Sequence, residues 1–495
     1  MTITLERRLA NFRAGAGASI ANLAADRART VAIGAERLAA EVDGELVRTA
    51  TGSFVRVERP STVIAIDRER LATLPGQPGV GVPLICLDTE TTGLATASGT
   101  LAFLIGLGWW QQSRFRQVQL LLPDHADEPG FLDELRRHIP GEGWLVTYNG
   151  RGFDWPLLEA RYRMIRAGPP AHRGHLDLLP LVRRLFRHRM PDARLQTAEG
   201  HLLGLTRRHD VAGWEIPARY LQFLRDGDPA LLLAVVRHNH EDVRSLARLL
   251  THVEQGFGDP VARRTAPPGD LAGLARWFAA DGRFAEALDC VESALRSPGP
   301  EVAGPDEAHL NPAHPAIREP IRVRDEDEAW WSPRRRPDFG GRAVGEDPWS
   351  TWRSASMDRL DATWTEDRLV ADRARLLRRL GRLRESEAAW LGLADRGGLL
   401  GALAWVEIAK VREHHRHDPE AAMAATLAAL RFAERARMLG RPHGRLERDL
   451  ARRATRLRRR IARRHGHGPA VGPARQPPPR EGQGPISSSA RRGSR

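Results

Sequence analysis

The chain has 495 residues and a mass of 55.0 kDa, which is more than one compact core accommodates and predicts two to four domains. Hydrophobic residues make up 41% of the sequence and the mean hydropathy is −0.42, a composition that excludes a wholly disordered protein. The formal net charge is +14, and because nearly all of the positive charge is arginine, a polyanionic partner is favoured.

Membrane insertion and export are not expected. The longest apolar run, Leu231–Val236, is far shorter than the roughly 18 to 20 residues that a membrane-spanning helix requires. The N-terminal region has no apolar segment of signal-peptide length. Cys86 and Cys290 lie far apart and form no CxxC metal-binding pair, as is typical of proteins in a reducing cytoplasm. We therefore expect a cytoplasmic protein with no membrane partner.

The first part of the chain predicts a sheet domain preceded by a helical extension. Residues 1–52 are rich in Arg and Ala, and we interpret them as the N-terminal helical extension. A β-like stretch begins at Ser53. Four apolar runs separated by turns follow, which we interpret as strands of one sheet. These runs are Leu84–Leu87, Leu101–Trp110, Arg116–Leu122 and Trp144–Tyr148.

Helical periodicity replaces the strand pattern from residue 154 onward. Five helices are predicted, the last of them long and strongly amphipathic. They are Asp154–Ile165, Asp177–Phe186, Leu195–Leu203, Ile216–Asp226 and Pro229–Glu254. Strands followed by helices predict an α/β domain, a mixed sheet flanked by helices, over residues 53–257.

The remainder of the chain has the pattern of paired helices. Residues 268–296 carry apolar positions at helical spacing on both sides of a turn at Asp281–Arg283, which is typical of a tetratricopeptide (TPR)-like repeat. Similar pairs recur within residues 356–464, so we expect an all-α TPR-like region. Residues 297–355 are rich in Pro, Gly and acidic residues and predict a linker. Residues 465–495 predict a disordered basic tail.

The most informative local pattern is an apolar strand that ends in Asp88 and Glu90. Residues two apart on a strand point to one face, so these carboxylates repel each other unless a cation lies between them. Their hard oxygen ligands suit Mg²⁺ or Mn²⁺ better than Zn²⁺. Solvated carboxylates at a strand end are the alternative interpretation.

Two further acidic patterns follow. In Thr147–Asp154 a strand passes through a glycine-bearing turn into a helix that begins near Asp154, where an aspartate ordinarily caps helix amides. In the long helix His238 and Asp242 lie four residues apart and share a face, which a simple i, i+4 pair also explains. Each pattern taken separately is therefore ambiguous.

Together, the DxE strand, the NGxxFD turn and the HxxxD helix resemble the three exonuclease motifs of the DEDD exonucleases, whose fold is RNase H-like. Further segments are similar to the YprB-type RNase H-like domain, which is often joined to TPR repeats. They are Thr100–Gly106, His175–Leu179 and Glu215–Tyr220. The resemblance covers about residues 53–255.

The resemblance implies a metal-dependent nuclease, a 3′–5′ exonuclease that hydrolyses phosphodiester bonds of single-stranded DNA or RNA by a two-metal mechanism. It also implies four metal ligands for two Mg²⁺ or Mn²⁺ ions, which are Asp88, Glu90, Asp154 and Asp242. Thr91, Asn149 and Arg151 lie within or beside the first two motifs, and we expect them to contact the substrate.

One position departs from the DEDD pattern, which places Tyr four residues or His five residues before the last aspartate. Here His238 stands four residues before Asp242, and we expect it to deprotonate or orient the attacking water. This departure and the helical repeats leave a second interpretation open. In it the chain is a weakly active or inactive nucleic-acid-binding scaffold that recruits a protein partner through its TPR-like repeats. The complete carboxylate quartet favours the nuclease.

Overall fold

A computed structural model of the protein describes residues 27–93, 99–207, 210–297, 366–440 and 442–465. The expected linker and the expected basic tail lie outside these ranges except for their first residues, Ser297 and His465. Packing divides the chain into two units, Met1–Leu380 and Gly381–Arg495. Each unit is described separately.

The first unit contains a mixed sheet of seven strands in the part of the chain that the structure describes. The strands are β1 (Glu45–Thr49), β2 (Gly52–Val63), β3 (Leu84–Thr91), β4 (Ala102–Gln111), β5 (Arg114–Leu121), β6 (Trp144–Thr147) and β7 (Gly174–Asp177). Their order across the sheet is β1-β2-β5-β4-β3-β6-β7. Among neighbouring strands of this sheet, only the pairs β3–β6 and β6–β7 are parallel, so the carboxyl ends of these three adjacent strands lie at one edge of the sheet.

The first unit also contains helices, some of which pack on the two faces of this sheet. In chain order they are α1 (27–41), α2 (Glu128–His138), α3 (Asp154–Met164), α4 (Leu178–Phe186), α5 (Leu195–Ala198), α6 (Ile216–Asp226), α7 (Leu232–Gly258), α8 (Pro260–Arg264), α9 (Pro268–Ala280), α10 (Phe284–Arg296) and α11 (Glu366–Arg379). The predicted mixed sheet flanked by helices is confirmed.

Several elements differ from the prediction. The strands β1 and β7 and the helix α2 were not expected, because β1 is a largely exposed edge strand, β7 has four residues, and α2 buries two glutamates. The expected extension also differs, since Leu38 and Val42 pack in one core with Phe54 of β2. Helix α1 and strand β1 therefore belong to the same domain as the rest of the sheet.

Side chains of β3 alternate between the two faces of the sheet. Leu84 and Cys86 lie in a core with α7, whereas Ile85 and Leu87 lie in the opposite core with residues of α2, α3 and α6. The strand continues through Thr91, beyond the predicted end at Leu87. Asp88 and Glu90 continue the alternation of Leu84 and Cys86 and are therefore on the side of the sheet that α7 covers.

A glycine on β4 sets how closely α7 approaches this part of the sheet. Gly106 pairs with Asp88 across the β3–β4 ladder. A Cβ atom at Gly106 would lie 2.3 Å from Asn239 Oδ1 and 2.7 Å from a methyl group of Val243, both on α7. Any larger residue would push the helix away. Gly106 thus lets α7 bring its polar residues to the end of β3.

Residues 268–296, expected as a separate helix pair, pack into the core that lies between the sheet and α7. The turn that joins α9 and α10 places Gly282 at φ +80°, and Arg283 forms two hydrogen bonds of 2.6 Å with Glu286. The same arrangement recurs at Gly381, with φ +76°, where Arg382 binds Glu385 with two 2.7 Å bonds. Both positions have the left-handed conformation that favours glycine.

The second unit is helical throughout the residues described. Its helices are α12 (Leu383–Asp395), α13 (Gly398–His414), α14 (Pro419–Met438) and α15 (Gly444–Arg464). Val406, Ala429 and Leu450, one residue from each of the last three helices, form part of its core. Within the described ranges, neither unit has a helix with the length and apolarity needed to span a bilayer.

Candidate active site

The end of β3 presents two carboxylates, and Asn239 of α7 holds one of them. Asn239 is fully buried, and its Nδ2 donates to Asp88 Oδ2 at 2.9 Å. Its Oδ1 accepts a 2.8 Å hydrogen bond from Gln119 of β5. Gln119 therefore fixes the amide so that its N–H₂ group faces Asp88, which orients that carboxylate.

A third carboxylate, Asp154, is the first residue of α3. Thr89, which points to the opposite face of β3 from Asp88, donates to Asp154 Oδ1 at 2.5 Å. The turn between β6 and α3 is held by Asp177, whose carboxylate accepts from the backbone N–H groups of Asn149 at 2.8 Å and Arg151 at 3.2 Å. Asp177 thus positions the turn that delivers Asp154.

The helix α7 adds Asp242 and His238 to the same place. His238 Nε2 lies 3.8 Å from Glu90 Oε1 and 3.6 Å from Asp242 Oδ2. One ligand atom from each of these three residues lies within 4.8 Å of the other two, a spacing compatible with a shared metal ion. On the other side of the ring, Nδ1 donates to Asp210 Oδ1 at 2.6 Å.

Arg207 is the cation that accompanies these groups. Its guanidinium group binds Asp242 Oδ1, pairs with Glu199 at 2.5 and 2.8 Å, and lies 3.3 Å from Asp210. Burial alone would lower the pKa of Arg207, but the hydrogen bond with Glu199 and the charges of Asp242 and Glu199 raise it. Arg207 therefore remains charged and offsets part of the negative charge.

Comparison with known proteins bears on the fold of the region that contains these residues. Residues 85–254 match the RNase_H_2 family, described as RNase_H superfamily. This region forms an RNase H-like domain. The chain is also 34% identical over 213 residues to the "Uncharacterized protein YprB" of Bacillus subtilis (strain 168). The aligned segment covers 42% of this chain and 51% of that protein. The chain thus spans about half the length of this curated relative.

The four carboxyl groups of the RNase H-like domain are hard to ionise together. Burial is the main cause, and the charges of Asp242 and Asp154 further raise the pKa values of Asp88 and Glu90 far above their usual range. The pKa of Asp154 rises to about 6 despite the hydrogen bond from Thr89. Burial also raises the pKa of Asp242, although the charges of His238 and Arg207 oppose it.

These side chains fit a divalent cation. Buried carboxylates that repel one another are stabilised in their ionised form by a cation placed between them. Oxygen ligands match the preference of Mg²⁺ and Mn²⁺, and an imidazole nitrogen is compatible with Mn²⁺. Glu90, His238 and Asp242 already have their ligand atoms together, while Asp88 and Asp154 are oriented by Asn239 and Thr89.

The three residues expected to contact substrate have different surroundings. Thr91 Oγ1 donates to Gly93 O at 2.6 Å, and the Arg151 side chain donates to His175 O, so both groups are engaged within the protein. Asn149 is exposed and adopts a left-handed conformation with φ +68°. Arg151 is also exposed, whereas Thr91 is buried, and contact of the three residues with substrate remains a prediction.

Other residues of the site were not found from the sequence. They are Gln119, Glu199, Arg207, Asp210 and Asn239. Gln119 had a detectable signal, since it is a polar residue in a strand whose neighbours Val118 and Leu120 are apolar. Arg207 and Asp210 had no such signal in the sequence, because they lie outside regular helices and strands, where no periodic pattern singles out a residue.

Metal binding and pH should be linked in the thermal stability of this domain. The folded-state pKa values of the four carboxyl groups exceed their unfolded values, so the folded protein binds more protons than the unfolded chain above about pH 4. This preferential proton binding stabilises the folded state. Without metal, the stabilisation is lost as the pH rises through the folded-state pKa values, about 6 for Asp154. A metal ion competes with those protons and should stabilise the protein most at high pH.

We expect saturating MgCl₂ to raise the melting temperature by about 5 °C at pH 7.5, as a ligand at about 100 times its Kd would, and by much less at pH 5. Differential scanning fluorimetry with MgCl₂ or EDTA across this range measures the effect. The Asp154→Asn variant should respond less to MgCl₂. A melting temperature that MgCl₂ leaves unchanged at every pH would contradict the metal site.

Proposed function

We propose that this protein is a metal-dependent nuclease of the DEDD type, a 3′–5′ exonuclease that hydrolyses phosphodiester bonds of single-stranded DNA or RNA. The observation that supports this most strongly is the convergence of four buried or partly buried carboxylates with raised pKa values. They come from β3, α3 and α7 and are Asp88, Glu90, Asp154 and Asp242. Structural carboxylates are rarely buried as a group without matching cations.

In this proposal the four carboxylates hold two Mg²⁺ or Mn²⁺ ions. When bound, such ions polarise a scissile phosphate, lower the pKa of a water molecule and stabilise the leaving 3′-oxygen. Asn239 and Thr89 keep Asp88 and Asp154 oriented, so their oxygens need little rearrangement. Arg207 supplies positive charge beside Asp242 and Glu199. The protein thereby limits the net charge of the site.

His238 is the proposed acceptor of the proton from the attacking water. Its Nδ1–H is donated to Asp210, so in the neutral ring the lone pair is on Nε2. Nε2 is the nitrogen that faces Glu90 and Asp242. In this proposal Nε2 is not a metal ligand, so a water molecule among these groups would have a base within reach. Asp210 acts as a positioning residue, since it fixes the tautomer and the ring orientation.

The second part of the proposal concerns the helix pairs that follow the sheet domain in the chain. The recurring turn, with a left-handed glycine followed by an Arg–Glu pair, occurs at Gly282 and Gly381 and supports the interpretation of TPR-like units. Such units bind partners through extended surfaces. We propose that they recruit a protein partner to the nuclease.

Cleavage of end-labelled single-stranded DNA and RNA tests the proposed function. The purified protein is incubated with MgCl₂, MnCl₂ or EDTA beside the Asp154→Asn variant. We expect ladders of products that require metal and Asp154, and the labelled end that yields the ladder gives the polarity. Binding without cleavage of either substrate would instead support the scaffold interpretation.

A further inference from the structure

The second unit carries an unusually dense positive charge on one helix. The 21 residues of α15 contain ten arginines and two acidic residues, a net charge of +8 within a chain whose formal net charge is +14. Such a charge density within one helix repels itself unless it is neutralised. The arrangement of the arginines around the helix determines what could neutralise it.

The apolar face of α15 is already covered. Leu450, Ala454 and Leu457 are buried, and Leu450 packs with Val406 of α13 and Ala429 of α14. Arginines on the flank of this face serve the fold, since Arg453 and Arg456 bind the buried Glu413 at 2.7 to 3.0 Å. These contacts anchor α15 and leave no apolar face that could insert into a membrane.

Because the helical period is 3.6 residues, further arginines lie on the side of α15 that points away from its buried face. These residues, hereafter the arginine stripe, are Arg452, Arg459, Arg460 and Arg463, all exposed, and Arg452 also binds Asp449 at 2.9 Å. It extends about 16 Å along the helix at 1.5 Å per residue. Arg459, Arg460 and Arg463 have no acidic side chain within 4.0 Å among the residues described.

The surroundings of His414 indicate the positive potential near this helix. Burial lowers the pKa of His414, and the charges of Arg453, Arg456 and Arg460 lower it further against the opposing effect of Glu413. These three arginines thus lie close together around His414, while Arg459 and Arg463 have no acidic side chain within 4.0 Å among the residues described. An anionic partner would supply the missing charge.

We propose that the arginine stripe binds the sugar–phosphate backbone of a single-stranded nucleic acid, as a second contact separate from the active site. Guanidinium groups bind phosphate oxygens in a bidentate manner, and a row of them along a helix matches a linear polyanion. The choice of nucleic acid as the polyanion rests on the proposed function. The contact is independent of sequence and depends on salt.

The test compares two full-length variants that lose the same three charges. One replaces part of the stripe (Arg459→Gln, Arg460→Gln, Arg463→Gln), and the control replaces exposed arginines of α12 and α14 (Arg384→Gln, Arg431→Gln, Arg435→Gln). Binding to a labelled single-stranded oligonucleotide is measured by fluorescence anisotropy in EDTA at 50 to 200 mM NaCl. Melting curves verify that both variants fold.

We expect the stripe variant to bind at least about tenfold more weakly at low salt. The slope of log K against log salt should become shallower by about 2, since each lost phosphate contact changes it by about 0.7. The control should change the slope by less than about 1. Replacement of the same three stripe residues by Lys should largely preserve the slope, because the charge remains.

Equal salt slopes for the stripe and control variants would overturn the inference. Wild-type binding to phosphatidylserine vesicles with none to oligonucleotides would also overturn it, in favour of a lipid surface. Failure of the proposed function gives a different result, in which no substrate is cleaved although the stripe variant still loses affinity. Cleavage by a protein whose stripe variant binds like the control would leave the nuclease intact and remove only the second contact.

Discussion

Replacing Asp88 with alanine is expected to lower metal-dependent hydrolysis by at least about 1,000-fold. Metal ions supply several kcal/mol of transition-state stabilisation, and each 1.36 kcal/mol corresponds to about a factor of ten in rate. Asp88 is one of the proposed ligands and has a buried partner, Asn239, that orients it. Single-turnover cleavage of an end-labelled oligonucleotide in MgCl₂ or MnCl₂ measures this loss.

The Asp88→Ala variant should nevertheless fold. In the absence of metal, burial and repulsion from Asp242, Glu90 and Asp154 raise the pKa of Asp88. Removing the Asp88 carboxylate relieves this repulsion. We therefore expect its melting temperature in EDTA at pH 7.5 to equal or exceed that of the wild type. Asp281→Ala, at an exposed turn, is the matched control and should retain activity. Wild-type cleavage rates for Asp88→Ala would refute the assignment of Asp88 as a ligand.

The second large effect concerns the proton acceptor. We expect His238→Ala to lower kcat by about 100- to 10,000-fold, the usual contribution of general acid–base catalysis, with little change in KM. His201→Ala, an exposed histidine of the same unit, serves as the control. Steady-state cleavage rates over a range of oligonucleotide concentrations separate kcat from KM.

Asp210→Asn should reproduce part of this loss without removing the imidazole. An amide N–H at position 210 would donate to His238 Nδ1, so the ring proton would move to Nε2, which faces Glu90 and Asp242. The base would then be blocked, and kcat should fall while KM stays constant. An increase in KM alone would mean that His238 binds substrate instead of accepting a proton.

The local patterns of the site could be predicted because they depend on the periods of regular structure. The two-residue period of a strand places Asp88 and Glu90 on one face, and the structure has both in β3. The helical period places His238 and Asp242 on one face of α7, with His238 Nε2 3.6 Å from Asp242 Oδ2. Asp177, where the predicted helix Asp177–Phe186 begins, caps α4 by accepting a hydrogen bond from Leu179 N.

Contacts between distant parts of the chain could not be predicted in this way. Asn239 reaches Asp88 only because Gly106, on a third element, leaves room for α7. Arg207 and Asp210 join the site from an irregular segment, where no period relates a residue to its neighbours. The packing of α1 and of α9 and α10 against the sheet region depends equally on long-range contacts.

The sequence by itself determined the class of the domain, the chemistry of its carboxylates and the positions of most helices and strands. These properties follow from composition and from side-chain periods, which are local. Only the tertiary structure decided which residues surround the carboxylates and which arginines of α15 remain without acidic partners. Those features depend on the approach of elements far apart in the chain, which is set by close packing rather than by any local pattern.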